Sequence, residues 1–86
     1  MSWQVEWSER AITDLRWLPA RDAKRVIEAV ERYAQSGHGD IRKIRGRDAL
    51  FRLRIGTWRV LFTPDVDSRR IYVLTVRHRR EAYRDM

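Results

Sequence analysis

An alternating stretch from Phe51 to Phe62 limits the fold of this chain more than any other part of its sequence. One face is apolar and consists of Phe51, Leu53, Ile55, Trp58, Val60 and Phe62. The other face carries the basic residues Arg52, Arg54 and Arg59. A repeat of two residues is that of a β-strand. Gly56 interrupts the repeat, and glycine tolerates the positive φ that a tight hairpin turn requires. The stretch therefore predicts an antiparallel hairpin that turns at Ile55-Gly56-Thr57.

The basic face of this hairpin has two interpretations. A solvated, aggregation-resistant sheet surface is the commoner use of exposed arginines. Between Phe51 and Phe62, however, no acidic residue is present to neutralise them. Unneutralised positive charge on one face favours an anionic partner such as a nucleic acid.

The composition of the whole chain supports the second interpretation. The 86 residues contain 19 Lys and Arg against 12 Asp and Glu, and only Lys24 and Lys43 are lysines. Arginine presents a planar fork that matches a phosphate group bidentately, so this bias suits phosphate recognition. An arginine-rich genome would produce the same bias.

Several classes of protein are excluded by what the sequence lacks. It contains no cysteine, so neither a disulfide framework nor a thiolate nucleophile is available. Its two histidines, His38 and His78, have no spacing typical of a metal site, and we expect no metal and no other cofactor. Neither a signal peptide nor an apolar run of about 18 residues is present. We expect one soluble, cytoplasmic domain over residues 1–86.

Local patterns predict the remaining elements of an α+β fold. Trp3, Val5 and Trp7 alternate as a strand, Ser8 is a helix N-cap, and two amphipathic helices follow, one ending near Pro19 and one running from about Ala20 to Gly37. Ile41–Arg47 predicts a short strand with a basic loop, and Ile71–Val76 a central strand covered on both faces. The two helices should pack on a twisted, mainly antiparallel sheet of four to five strands.

The tail from Arg77 onward is predicted to form a short helical end or a frayed basic terminus. It places His78, Arg79 and Tyr83 within six residues. Together these side chains can donate protons, accept them and stabilise charge at a phosphate.

In its order of motifs the chain resembles the RelE/ParE superfamily of type II toxin-antitoxin toxins. The segments that carry the resemblance are Trp7–Ala11, Leu15–Pro19, Gly39-Asp40, Phe51–Gly56, Trp58–Phe62 and His78–Tyr83. The resemblance implies a microbial RNase-like fold. One branch, RelE-like, cleaves mRNA in the ribosomal A site, and the other, ParE-like, poisons DNA gyrase. Arg79 and Tyr83 resemble the C-terminal arginine and tyrosine of the RelE-like branch. Arg59 matches the arginine that this branch has in the last strand of the hairpin.

The RelE-like branch implies metal-independent cleavage, in which the ribose 2′-OH attacks the adjacent phosphate. Arg52, Arg54, Arg59 and Arg79 would hold that phosphate, and Lys43, Arg45 and Arg47 would extend the RNA-binding surface. Arginine cannot act as a base, so His78, Tyr83 or, less directly, Glu81 would move the proton. The implied partners are a cognate antitoxin, the ribosome and mRNA. The alternatives are a ParE-like gyrase inhibitor without nuclease activity and a plain RNA-binding domain.

Overall fold

The computed structural model describes residues 2–81, which form two helices and one five-stranded sheet. In chain order the elements are β1 (Gln4–Trp7), α1 (Glu9–Trp17), α2 (Ala20–Ser36), β2 (Asp40–Lys43), β3 (Phe51–Ile55), β4 (Trp58–Asp65) and β5 (Arg70–His78). The strands are arranged in the order β1-β5-β4-β3-β2. Only β1 and β5 are parallel; the other neighbours are antiparallel. The predicted α+β architecture is confirmed.

The central hairpin forms where the alternation predicted it. Phe51 pairs with Phe62 and Ile55 pairs with Trp58, which leaves Gly56 and Thr57 as a two-residue turn. Gly56 has a φ of 58°, which lies in the left-handed region where a residue with a side chain would be strained. The apolar face of the hairpin is thereby fixed toward the core.

Helix α1 begins and helix α2 ends at signals that are present in the sequence. The Ser8 hydroxyl accepts a hydrogen bond from the Ala11 N–H at 3.0 Å and caps α1. Gly37, with a φ of 78°, ends α2, and its N–H donates to the carbonyl of Tyr33. Among the described residues no helix is long and apolar enough to cross a membrane.

The core lies between α2 and one face of the sheet. Its buried residues include Val26, Val30 and Ala34 of α2 and Leu53, Val60, Phe62, Ile71 and Val73 of the strands. The opposite face of β5 is covered only in part, since Thr75 is buried there but Leu74 is 40% exposed. The prediction that β5 is covered on both faces therefore holds only in part, because both helices pack on the same side of the sheet and along its edge.

Helix α1 follows the part of β5 that β1 does not reach. β1 ends at Trp7, which is paired with Val73. Beyond that point the Ser8 hydroxyl donates to the carbonyl of Leu74 at 2.8 Å. Asp14 Oδ2 accepts hydrogen bonds from the Val76 N–H at 2.9 Å and the Thr75 hydroxyl at 2.7 Å. Side chains of the Ser8 cap and α1 thus take the place of a neighbouring strand.

The end of β5 is followed by a turn. The Glu81 N–H donates to the carbonyl of His78 at 2.8 Å, and residues 79–81 form that turn. The rest of the predicted helical tail, from Ala82 onward, lies outside the described residues.

Candidate functional site

Three arginines lie side by side on three adjacent strands of the sheet. Arg54 of β3 is directly opposite Arg59 of β4, and Arg59 is directly opposite Arg77 of β5. Residues paired in this way project from the same face of a sheet, with Cα atoms about 5 Å apart. We call this set the arginine row. Like charges in direct opposition repel one another, and an anion bound beside them would lower that repulsion.

Hydrogen bonds within the protein hold two members of the arginine row. Arg59 Nη1 donates to the carbonyls of Gly56 and Trp58, at 2.8 and 3.0 Å. Arg77 Nε donates to the Thr75 hydroxyl at 3.3 Å, and Thr75 is itself bonded to Asp14. The guanidinium groups are therefore oriented before any ligand arrives, which lowers the entropy cost of binding one.

The sequence-based expectation that the hairpin arginines lack acidic partners is wrong. Asp40 of β2 lies opposite Arg54, and its Oδ2 is 3.0 Å from Arg54 Nε, while its Oδ1 is 3.6 Å from Arg52 Nη1. Arg52 is only 7% exposed, and its Nη1 has no hydrogen-bond partner among the described residues. Arg52 is therefore not placed to meet a ligand from solvent. The charge of Arg54 is partly neutralised by its ion pair with Asp40.

His78 and Arg79 follow the arginine row along the chain, but His78 pairs with Trp58 and therefore projects from the helix-covered face of the sheet, opposite to the arginine row. The ring of His78 meets that of Trp58 edge-on, with centroids 5.5 Å apart, and its Nδ1 accepts a hydrogen bond from the Arg80 N–H at 3.2 Å. The Arg79 N–H donates to the carbonyl of Thr57 at 2.7 Å, and its side chain is exposed. The two residues are thus held at the end of the sheet that also carries Arg54, Arg59 and Arg77.

The basic loop does not share this location. Lys43, Arg45 and Arg47 are exposed, but Lys43 lies three residues along β2 from Asp40, about 10 Å from the arginine row. Their predicted contact with RNA would be at the opposite end of the hairpin. Tyr83, the remaining predicted catalytic residue, lies outside the described residues.

Two residues at this end of the sheet had no assigned role in the sequence-based interpretation. Arg77 completes the arginine row, and Asp14 anchors the strand that carries it. The basic tail is visible in the sequence, but the register that sets Arg77 opposite Arg59 is not. Among the described residues no group of three or more His, Asp or Glu side chains could hold a metal ion.

A curated relative supports the family suggested by the sequence. A protein of Methanocaldococcus jannaschii that carries the name toxin RelE1 is 30% identical over 89 residues, which cover 99% of each chain.

Solved structures show the same fold. In the RelBE2 toxin-antitoxin complex of Mycobacterium tuberculosis, one chain matches with a TM-score of 0.81 and 26% identity, covering 91% of this chain and 92% of that one. In the RelB-RelE antitoxin-toxin complex of Methanococcus jannaschii, the match has a TM-score of 0.73 and 26% identity, with 91% and 94% covered.

A family model matches almost the entire chain. Residues 5–83 fit the model described as the ParE toxin of the type II toxin-antitoxin system parDE. The relative of similar length and the solved structures carry RelE names. RelE and ParE toxins are the two branches of one superfamily, and fold alone does not separate their activities. The chain therefore belongs to the RelE/ParE superfamily of type II toxin-antitoxin toxins.

Proposed function

We propose that this toxin is a ribosome-dependent endoribonuclease that cleaves mRNA in the A site without a metal ion. The observation that carries the proposal is the arginine row, at the end of the sheet where β5 also carries His78. Positive charge oriented in advance can stabilise the charge that develops on a phosphate during cleavage. The relatives named RelE support the same branch.

The reaction requires no covalent protein intermediate. The 2′-oxygen of a ribose attacks the adjacent phosphorus, the bond to the 5′-oxygen of the next nucleotide breaks, and a 2′,3′-cyclic phosphate and a 5′-hydroxyl result. Arg59 and Arg77 would neutralise the non-bridging oxygens, with Arg54 and Arg79 at the two sides. Positioning and electrostatic stabilisation would supply most of the rate enhancement.

Proton transfer is the second part of the proposal. Because Nδ1 of His78 accepts the Arg80 N–H, a neutral imidazole carries its proton on Nε2. His78 in that form can donate a hydrogen bond to the leaving 5′-oxygen, but giving up its proton would leave an imidazolate anion, so we assign the protonation of that oxygen to Tyr83. The proton of the 2′-OH then needs a separate acceptor, and Glu81 lines the same edge as Arg77 and His78.

The test is primer extension on mRNA from translating ribosomes, with naked mRNA as a parallel substrate. We expect cuts within codons only when ribosomes are present, and Arg59→Ala should lower the cleavage rate by about 100-fold or more. Arg21→Ala is the matched control, since Arg21 is exposed on α2, away from the arginine row. Intact mRNA with folded wild-type protein would overturn the proposal.

One observation favours a second candidate function. The family model that matches residues 5–83 is named for ParE, and the ParE-like branch poisons DNA gyrase. A supercoiling assay with purified gyrase separates the two activities. Blocked supercoiling together with uncut mRNA would assign the chain to the ParE-like branch, and the arginine row would then be a protein-binding surface.

We also propose a cognate antitoxin as a partner. The two similar solved structures are complexes with RelB-type antitoxins, and this toxin has a formal net charge of +7. An acidic segment of an antitoxin that lies on the arginine row would compete with RNA, because both would bind the same arginine side chains.

A further inference from the structure

A groove of about 300 Å³ lies where α1 passes the free edge of β5. Trp17 and Trp58 supply its aromatic rings, and Arg10, Asp14, Arg77 and His78 supply polar groups. Its volume is at the lower end of the range of about 300 to 1,000 Å³ found for small-molecule sites. We call it the Trp17 groove.

Trp17 is the unusual feature of this groove. It is the last residue of α1 and is 84% exposed, although it is the largest apolar side chain that a protein can bury. Within residues 2–81 it makes no ring contact. A flat ring presented to solvent beside positive charge is the arrangement with which proteins stack the bases of single-stranded nucleic acids.

Arg10 supplies directed donors at the same groove. Its Nε donates to Asp14 Oδ1 at 3.2 Å, and Asp14 is fixed in turn by Thr75 and Val76. Within residues 2–81 no hydrogen bond reaches the two terminal nitrogens of Arg10. Arg10 is thus tethered at one end and able to donate to acceptors on the edge of a planar ligand.

The Trp17 groove and the arginine row share one residue. Arg77 stands opposite Arg59 in the sheet and also lines the groove. A nucleotide is complementary to this pair of sites, because its anionic phosphate is joined to a planar base. An apolar peptide side chain would fit less well, because it offers no acceptor to the terminal nitrogens of Arg10.

We propose that the Trp17 groove binds the base of the nucleotide whose phosphate lies on the arginine row, with Trp17 as the stacking surface and Arg10 as the donor to the base edge. This inference rests on the proposed function, since it takes RNA as the ligand. It makes Trp17 and Arg10 specificity-determining residues rather than catalytic ones.

The first measurement is direct binding of a single-stranded hexaribonucleotide with 2′-O-methyl groups, which cannot be cleaved because the attacking hydroxyl is blocked. Trp17→Ala should weaken its binding, measured by fluorescence anisotropy, by about tenfold. Trp17→Phe keeps an aromatic ring and should stay within about threefold of wild type. Stacking should also quench tryptophan fluorescence in the wild type, and Trp17→Phe should lose most of that quenching.

Val66→Ala is the matched control, because Val66 is an exposed apolar residue in the turn at the other end of β5. It should bind the hexamer like wild type. Equal affinities for wild type and Trp17→Ala, with both proteins folded, would overturn the base site. A loss in Trp17→Ala that Trp17→Phe does not rescue would also overturn stacking as its cause.

The second measurement is the ribosomal cleavage pattern of the same variants. Trp17→Ala and Arg10→Ala should change which bases flank the cuts, whereas Arg59→Ala should weaken all cuts together. Unchanged cut sites in Trp17→Ala would overturn a role in specificity while leaving the nuclease intact. Binding that depends on Trp17 in a protein that cuts no mRNA would instead overturn the nuclease and retain the groove as an RNA site.

Discussion

Asp14 Oδ2 lies 2.9 Å from the backbone nitrogen of Val76 and accepts its hydrogen bond. The same oxygen accepts the Thr75 hydroxyl at 2.7 Å. A side chain of α1 therefore satisfies the strand edge at the point where β1 has ended. Because Arg77 and His78 follow directly, this contact fixes the strand end that carries both residues.

Removing the carboxylate of Asp14 should destabilise the fold. Asp14→Ala leaves the part-buried donors of Val76 and Thr75 unsatisfied, so we expect the free energy of unfolding to fall by about 1–3 kcal/mol. Urea denaturation would measure this change. Asp67→Ala, in the exposed turn before β5, should shift the midpoint little, and an equal shift in both variants would contradict the assigned role.

The pair of Asp40 and Arg52 should show the asymmetry of a buried charge. Asp40→Ala leaves the buried Arg52 without its acidic partner, and we expect it to destabilise the protein by roughly 1–3 kcal/mol. In the double variant Asp40→Ala/Arg52→Met the uncompensated charge is gone, so stability should recover relative to Asp40→Ala alone. Chemical denaturation of both variants measures this difference. A double variant that is no more stable than Asp40→Ala would show that the charge of Arg52 does not require Asp40 as its partner.

Stability should fall at high pH because of Tyr33. Burial raises the pKa of the Tyr33 hydroxyl above its usual value of about 10. The folded state thus favours the neutral phenol, and this contribution is present below pH 10 and is lost as the pH rises through the folded-state pKa. Urea denaturation between pH 9 and pH 11 should show the decline. Tyr33→Phe should reduce it, whereas Tyr72→Phe serves as the comparison.

Binding to RNA should depend on salt through the arginine row. Each phosphate contact contributes about 0.7 to the slope of log affinity against log salt for a single strand. Arg59→Ala and Arg77→Ala should each lower that slope by about this amount, and Arg21→Ala should leave it unchanged. Titrations of the 2′-O-methyl hexamer at several salt concentrations give the slopes. Arg47→Ala tests the basic loop in the same assay, and an unchanged slope would remove the loop from the RNA-binding surface.

The elements that sequence analysis predicted correctly depend on short-range signals. The alternation around Gly56, the cap at Ser8 and the helix end at Gly37 each involve residues within four positions of one another. The β5 strand was also predicted, but not its exposed side. The sheet register shifts between Leu61 and Phe62, and Leu74, at the irregularity in β5, is exposed although its neighbour Thr75 is buried.

The parts of the site that sequence analysis missed all depend on pairing between distant segments. Asp40 meets Arg52 and Arg54 because β2 pairs with β3, and Arg77 joins the arginine row through the register of β4 and β5. Periodicity gives the face on which a residue lies but not the residue that stands opposite. Residue type alone therefore suggested an unpaired basic face that includes Arg52, although Arg52 is buried.

The parallel pairing of β1 with β5 also governs when the protein can become active during its synthesis. The Ser8 hydroxyl bonds to a carbonyl 66 residues further along the chain, and contacts of such separation form late in folding. β5 is made after the four other strands of residues 2–81, and it supplies Arg77, His78 and one wall of the Trp17 groove. A nascent chain that ends before β5 thus lacks both the arginine row and the groove, so the toxin cannot assemble its site until β5 has been translated.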